Sequence, residues 1–460
     1  MKRVLVFVLI PLVLISAAWA LFYKFEGTKP VVDIKLPSVY LNRSYEMAID
    51  ITDAKTGLRN IQVSIMQQGR EKILLDKEYK AAGFLGLFTD PKTKSDSFII
   101  PVESWKYGLS DGDAIIRVKV SDRSWRGLNK GNIFYVEKNV VVDSKPPQVK
   151  VLTKRHNIER GGTALVIYQL FEKNIKSGIK VGENFFPGYP GLFKDPQIHS
   201  GFFALDYTQG PSTQINVVAE DLAGNITERG FHTYIRDKKF KTDILNISKG
   251  FLNDKIPGFD IGSKESRFTE SKNPLLDKFI YINTQVRKQN MDTVLSIPAG
   301  TENQKYWDDR FLRLSGSQKK AGFADHRIYN YNGREIDRAV HLGMDLASTS
   351  NAGVQAANSG RVIFTGDVGI FGNTIIIDHG FGVSSLYAHL NEILVHKEDI
   401  VNIGKTIAYT GETGLAGGDH LHFSMIVHNV FVNPVEWWDR SWIKNNITSK
   451  IEEVNQMPKH

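Results

Sequence analysis

Short runs of apolar, often β-branched residues, each closed by glycine, asparagine or aspartate, recur along most of this chain. Val31-Val32-Asp33-Ile34, Tyr45 to Ile51, Ile61 to Ile65 and Ile115 to Val120 are the clearest early examples. Runs of this length with two-residue alternation form strands, and a strand is stable only when a neighbour takes its backbone hydrogen bonds. The chain therefore folds mainly into sheets. Its 460 residues include no cysteine, so no disulfide can staple those sheets and each unit relies on its own core.

A weak internal repeat divides the first half. Val118-Lys119-Val120-Ser121-Asp122 is echoed about a hundred residues later by Val217-Val218-Ala219-Glu220-Asp221. Each copy is followed by a Gly-Asn turn (Gly131-Asn132, Gly224-Asn225) and a strand ending at Asp143 or Asp237. A period of that size with many short strands predicts two tandem immunoglobulin-like β-sandwiches, at 30–145 and 146–237. Pro146-Pro147 falls between them, where it ends a strand and stiffens the link. Neither copy carries binding-site chemistry, so spacer or adhesion roles are expected.

From Lys238 the period changes. Leu275, Leu276, Phe279, Ile282 and Val286 draw one apolar helix face after Asn273-Pro274, and Phe240, Ile244, Ile247 and Phe251 suggest a second, weaker helix. Residues 238–305 are thus expected to be a small helical connector or lid, adjoining in sequence the groove it would cover. From 311 to 440 the strands return, glycine-punctuated at Gly360, Gly366, Gly380, Gly404, Gly411 and Gly414, and predict a compact antiparallel sheet. Residues 441–460 read as a polar tail.

The N-terminus sets the compartment. Lys2 and Arg3 precede an apolar run from Val4 to Tyr23, interrupted only by Pro11 and Ser16. Such a run can nearly cross a bilayer, and the cations place its start on the cytoplasmic side. Ala18-Trp19-Ala20 is a candidate cleavage site. The apolar run continues beyond it, which favours an uncleaved anchor at 1–24 over a signal peptide. Either way the rest of the chain is expected outside the cytoplasm. The net charge of +8 suits an acidic wall polymer or membrane surface. No basic run interleaved with aromatics marks a nucleic-acid binder.

Seven of the twelve histidines lie between His341 and His428. They include His341-x-x-x-Asp345, Tyr387-x-His389 and His420-x-His422. Imidazole and carboxylate suit Zn²⁺, and a catalytic zinc uses three protein ligands with a fourth position for water. One His, one Asp and one histidine of the paired strand supply those ligands and leave histidines to steer the water. In a strand His420 and His422 share a face, as do Tyr387 and His389. Gly343 is expected to let the His341–Asp345 segment fold back sharply. Tyr387 is expected to pack, His379 to stabilise a turn, His326, His396 and His428 to lie on the surface or in loops, and Asp367 and Asp378 to be solvated turn residues.

These pieces also resemble the lysostaphin/LytM-type zinc endopeptidases. The matching segments are His341-Leu342-Gly343-Met344-Asp345, Gly360-Arg361-Val362, Gly372-Asn373, His379-Gly380, Tyr387-Ala388-His389-Leu390, Gly411-Glu412-Thr413-Gly414 and His420-Leu421-His422-Phe423. The resemblance spans about 311–438. It implies a duplicated-hybrid-motif peptidase fold and one Zn²⁺ per chain held by His341, Asp345 and His422. His389 and His420 would act on the water and the tetrahedral intermediate. It also implies hydrolysis of peptide bonds in the stem peptides or cross-links of peptidoglycan, with divisome or wall-synthesis proteins as possible partners. Two alternatives stay open: a non-catalytic LytM-like scaffold or activator of other wall hydrolases, and an exported general metalloprotease. The sequence departs from the family at Ser424, where Glu is frequent, and at Asp419, where proline is common.

Overall fold

The computed structural model describes residues 2–80 and 94–458, which fall into two compact units: 1–147 with 220–226, and 148–219 with 227–460. The first unit opens with a helix, Lys2–Lys24, whose apolar side chains from Phe7 to Ile15 are exposed. That helix is long and apolar enough to cross a membrane. Two sheets then enclose one core. One is three-stranded, with Ser44–Thr52 at its centre between Val31–Lys35 and Ser95–Glu103. The other is five-stranded and built on Leu58–Gln67 and Gly112–Asp122. Tyr45, Met47, Ile49 and Ile51 alternate with exposed or half-buried neighbours and face Ile61, Val63, Ile65, Ile116, Val118 and Val120. This is the inside–outside alternation that the sequence predicts.

The repeated Val-x-Val-x-Asp motif has a local cause. Asp122 Oδ1 accepts the backbone N–H groups of Ser124 (2.9 Å) and Asn132 (2.7 Å), and Asp221 Oδ1 accepts those of Ala223 (2.8 Å) and Asn225 (2.9 Å). In each copy the aspartate ends a strand and folds the next turn onto its carboxylate.

The second unit contains the remaining strands, the connector and the sheet that carries the histidines. Between 149 and 236, apart from the 220–226 turn that belongs to the first unit, the chain forms a three-stranded sheet around Thr163–Leu170, a four-stranded sheet around Lys176–Val181 and Ile215–Glu220, and a parallel pair, His156–Glu159 with Thr233–Arg236. Their core is continuous with that of the C-terminal domain. Phe202 lies 6.2 Å from both Trp307 and Trp437, and Tyr189 stacks on His428 at 5.9 Å. His428, expected on the surface or in a loop, lies in the turn between two strands and is half-buried by that stacking; His326 and His396 are exposed.

The connector differs from expectation. Thr242–Asn246 is a strand, not a helix, and pairs in parallel with Asp325–Tyr331, placing Ile244 opposite Ile328. Edge pairing with that strand overrides the weak helical spacing of Phe240, Ile244, Ile247 and Phe251. A helix begins only at Lys249, where the Ser248 side chain accepts Phe251 N–H as its cap. Pro274–Tyr281 is helical as predicted. In the segment read as a polar tail, helical turns run through Asn455 and bury Ile443, Ile447 and Val454. Lys450 Nζ reaches back to Leu165 O at 3.0 Å.

The C-terminal sheet has ten strands. Its spine runs from Gln318–Ala321 through Met344–Ala347, Leu421–Val427, Val383–Ile393, Asn373–Asp378 and Gly360–Asp367 to Ile400–Val401. Neighbours along it are antiparallel. Two registers build the site: Asp345 lies directly opposite His422, and Ala388 is opposite the same histidine on the other side.

Candidate metal and catalytic site

His341, Asp345 and His422 converge from three neighbouring positions. His341 closes the strand Arg334–His341, Asp345 lies in Met344–Ala347, and His422 lies in Leu421–Val427. His341 Nε2, Asp345 Oδ1 and His422 Nδ1 form a triangle with all three sides 2.9 Å. The protons on the far sides of the rings fix what those atoms can do. His341 Nδ1 faces the carbonyl of Gly322 at 2.8 Å, so it carries the proton and donates it. The Ser424 hydroxyl donates to Leu342 O at 2.8 Å and therefore accepts from His422 Nε2 at 3.1 Å. With the proton of each ring on its outer nitrogen, Nε2 of His341 and Nδ1 of His422 are the atoms left to present lone pairs. They point at each other and at a carboxylate oxygen. Three lone pairs gathered in a buried site repel unless a cation lies among them, and this N,N,O donor set is one that Zn²⁺ takes.

The second oxygen of Asp345 is held separately. Arg327 Nη2 donates to Oδ2 at 2.7 Å from the strand Asp325–Tyr331. Reading the histidine pattern alone misses this arginine, because no metal-like spacing points to it. Gly343 also has a role other than the one expected. Its φ is not positive, but a Cβ there would lie 2.5 Å from both His422 Nε2 and Ser424 Oγ. The position is glycine because the backbone passes against the ligand and its serine partner. Ser424 thus supplies the hydrogen bond that supports the ligand, and the absence of glutamate there leaves no buried partner unmet.

His389 and His420 stand beside the triangle. Their ring centroids are 4.9 Å apart, and His389 is 5.7 Å from His422. Strand alternation would send His389 to the face of Tyr387, which belongs to the deep core and whose hydroxyl accepts the Ala357 N–H at 2.7 Å. Instead His389 has φ of 62°, a left-handed conformation rare for histidine, and this swings its ring to the face of Ala388 and His422. The expectation that Tyr387 and His389 share a side therefore fails at one backbone angle. His389 Nδ1 donates to Thr413 O at 2.8 Å and His420 Nδ1 to Gly418 O at 2.7 Å, leaving the Nε2 atom of each ring free of these carbonyls. Burial, reinforced by His420 and His422, holds the His389 pKa well below its usual value.

A cavity of about 400 Å³ opens over these groups. His341, Asp345, His389, His420 and His422 line one side; Ile247, Ser248, Phe251 and Phe279 of the connector line the other, with Arg287 and Arg327 between. The connector is thus a wall of the site as well as a link. His379 is not part of it: the ring is fully buried, bonded to Ser359 O and Ser385 Oγ at 2.7 Å each, and packed on Phe311. Asp378 is buried rather than solvated, and accepts from Thr301 Oγ1 (2.8 Å) and Gly380 N (3.1 Å).

Residues 339–434 match the model of Peptidase family M23. The chain carries a peptidase domain of that family, of the lysostaphin/LytM type. Among similar proteins, the DD-carboxypeptidase/endopeptidase Mpg of Neisseria meningitidis serogroup B is 38% identical over 96 residues, 21% of this chain and 22% of that protein. The peptidoglycan DD-endopeptidase ShyB of Vibrio cholerae is 36% identical over 112 residues, 24% of this chain and 26% of that protein. The murein hydrolase activator NlpD of Salmonella dublin is 34% identical over 96 residues, 21% of this chain and 25% of that protein. The chain thus spans about a quarter of the length of these curated relatives.

Proposed function

We propose that the protein is a zinc-dependent endopeptidase that cuts peptide bonds in the stem peptides or cross-links of peptidoglycan. One zinc per chain would be held by His341, Asp345 and His422. The observation that carries this reading is the 2.9 Å triangle of donor atoms, with both ring tautomers set so that lone pairs point inward. Bound there, the metal would supply Lewis acidity toward a water and a substrate carbonyl. The chain's own residues do the rest. Arg327 fixes Asp345, the Gly322 carbonyl and Ser424 fix the two ligand rings, and the Thr413 and Gly418 carbonyls aim the rings of His389 and His420. In that tautomer His389 Nε2 is an acceptor, suited to taking a proton. His420 Nε2 instead lies 3.5 Å from Asp345 Oδ1, whose charge outweighs burial and raises the imidazole pKa, so His420 is suited to donating to a developing oxyanion or leaving amine. Phe251 and Phe279 give the cavity an apolar wall that limits water around the reacting groups.

The similarity to peptidoglycan endopeptidases supports the substrate class, and the exposed N-terminal helix supports a location outside the cytoplasm, tethered to the membrane. We read residues 30–145 and 146–237 as immunoglobulin-like spacers between that tether and the peptidase. The similarity to a murein hydrolase activator favours a second reading, in which the domain binds the wall or a partner without cutting. One experiment separates the two. Purified protein is analysed for zinc and incubated with isolated peptidoglycan, and released muropeptides are identified by mass spectrometry. About one zinc per chain and chelator-sensitive release are expected. His389→Ala should keep the metal and lose hydrolysis, whereas His341→Ala should lose both. A folded, zinc-free protein that releases nothing would leave the activator reading.

A further inference from the structure

A second group of buried acids lies in the first unit, remote in sequence from the histidines. Glu26, Asp53 and Asp122 are 4%, 4% and 0% exposed, and each offers a carboxylate oxygen within 4.8 Å of the other two. That span is about twice a Ca–O bond of ~2.4 Å, so the three oxygens are no farther apart than opposite ligands of a single ion.

Each carboxylate is clamped by its surrounding loop. Glu26 Oε1 accepts Thr56 N (3.0 Å) and Thr56 Oγ1 (2.7 Å). Asp53 Oδ2 accepts the N–H groups of Lys55 (3.1 Å) and Gly57 (2.6 Å). Asp122 is held through Ser124 and Asn132, including Asn132 Nδ2 at 2.7 Å from Oδ2. Two oxygens are left over. Glu26 Oε2 and Asp53 Oδ1 are fully enclosed and have no hydrogen-bond partner. A buried carboxylate oxygen without a donor is costly, and gathering three acids multiplies the cost through mutual repulsion, which the single buried ammonium of Lys24 nearby offsets only in part. The fold nevertheless holds these side chains in place by their other atoms.

We propose that Glu26, Asp53 and Asp122 form a structural Ca²⁺ site that pins the end of the N-terminal helix to the first β-module. The donor set is all oxygen and hard, which favours Ca²⁺ over the zinc suited to the histidine site. The irregular loops after Thr52 and Asp122 tolerate the 6–8 ligand geometry of Ca²⁺ better than the strict octahedron of Mg²⁺. The ligands come from three places in the chain: two residues past the helix end at Lys24, the turn after Ser44–Thr52, and the end of Gly112–Asp122. The carbonyls of Lys24 and Glu26 are already tied to Ser124 Oγ at 3.1 and 3.0 Å, so the ion reinforces a junction that the backbone begins. An exported module meets Ca²⁺ at the millimolar concentrations at which such sites fill.

The test uses the full chain in detergent micelles, stripped of metal, with calorimetry as the readout. Millimolar Ca²⁺ is expected to raise the melting transition of the first unit by about 5–10 °C at a hundredfold excess over Kd. It is also expected to displace Tb³⁺ luminescence from the stripped protein. Asp53→Asn and Glu26→Gln keep the clamping acceptors but remove ligand charge. Both should melt above wild type without metal, because repulsion is relieved, and neither should respond to Ca²⁺. Asp33→Asn, an exposed carboxylate on the first strand, should behave as wild type. Absence of a shift in wild type, as when the buried Lys24 ammonium already neutralises the acids, would overturn the proposal. So would an undiminished shift in both ligand variants.

Discussion

Glu436 makes the pH dependence of the second unit calculable. Its carboxyl is buried on the helix Pro434–Trp438, and Oε2 accepts Thr163 N–H at 2.8 Å from the start of a strand in the neighbouring module. Burial pushes its pKa up to about 8, against smaller opposing effects from the Thr163 hydrogen bond, Lys238 and Arg236. Lys238 does not pair with it directly; its ammonium is bonded to Glu159 at 2.9 Å. Below about pH 4.5 the group is protonated whether the chain is folded or not, and nothing is lost. From there to pH 8 the folded protein keeps a proton that the unfolded chain has released. Stability therefore falls by about 1.4 kcal/mol per pH unit, on the order of 5 kcal/mol in all. Glu436→Gln retains the acceptor for Thr163 and cannot titrate. Urea unfolding followed by tryptophan fluorescence suits the measurement, since Trp307, Trp437, Trp438 and Trp442 all lie in this unit. The variant should match wild type near pH 5, within about 1 kcal/mol, and exceed it by several at pH 8. Parallel profiles would refute the buried-acid argument, and a wild type that gained on the variant with rising pH would reverse its sign.

Two further outcomes test the supports of the site. Ser424→Ala removes the acceptor for His422 Nε2–H and should weaken zinc binding by about 10–100-fold in a competition titration while the fold persists; unchanged affinity would deny Ser424 its orienting role. Tyr387→Phe leaves the buried Ala357 N–H without its acceptor and should cost about 1–3 kcal/mol by denaturant midpoint. A loss near zero would show that another acceptor takes over.

Much of the site is legible before folding because its members are chemically rare. Histidine and aspartate at His341-x-x-x-Asp345 and His420-x-His422 stand out in a cysteine-free chain, and all five candidate residues line one cavity. What supports them is not legible. Arg327, the Gly322 carbonyl and Ser424 are ordinary residues whose role depends on which strand runs beside which. The Thr242–Asn246 strand misled helical periodicity for the same reason: five residues carry little local preference, and an open neighbouring edge decides their state. His389 is the sharpest case, since its histidine is obvious while the left-handed φ that aims it is not.

The sequence by itself determined a mostly β chain, an N-terminal helix long and apolar enough to cross a membrane, strands with alternating faces, and a donor set suited to zinc. Those follow from periodicity and side-chain chemistry, which act over a few residues. Tertiary structure alone decided that the connector walls the cavity, that Gly343 must lack a side chain, and that Glu26, Asp53 and Asp122 meet. Each of those depends on long-range packing that brings distant segments within a few ångströms. There the cost of burying charge or crowding atoms, and not local preference, selects the arrangement.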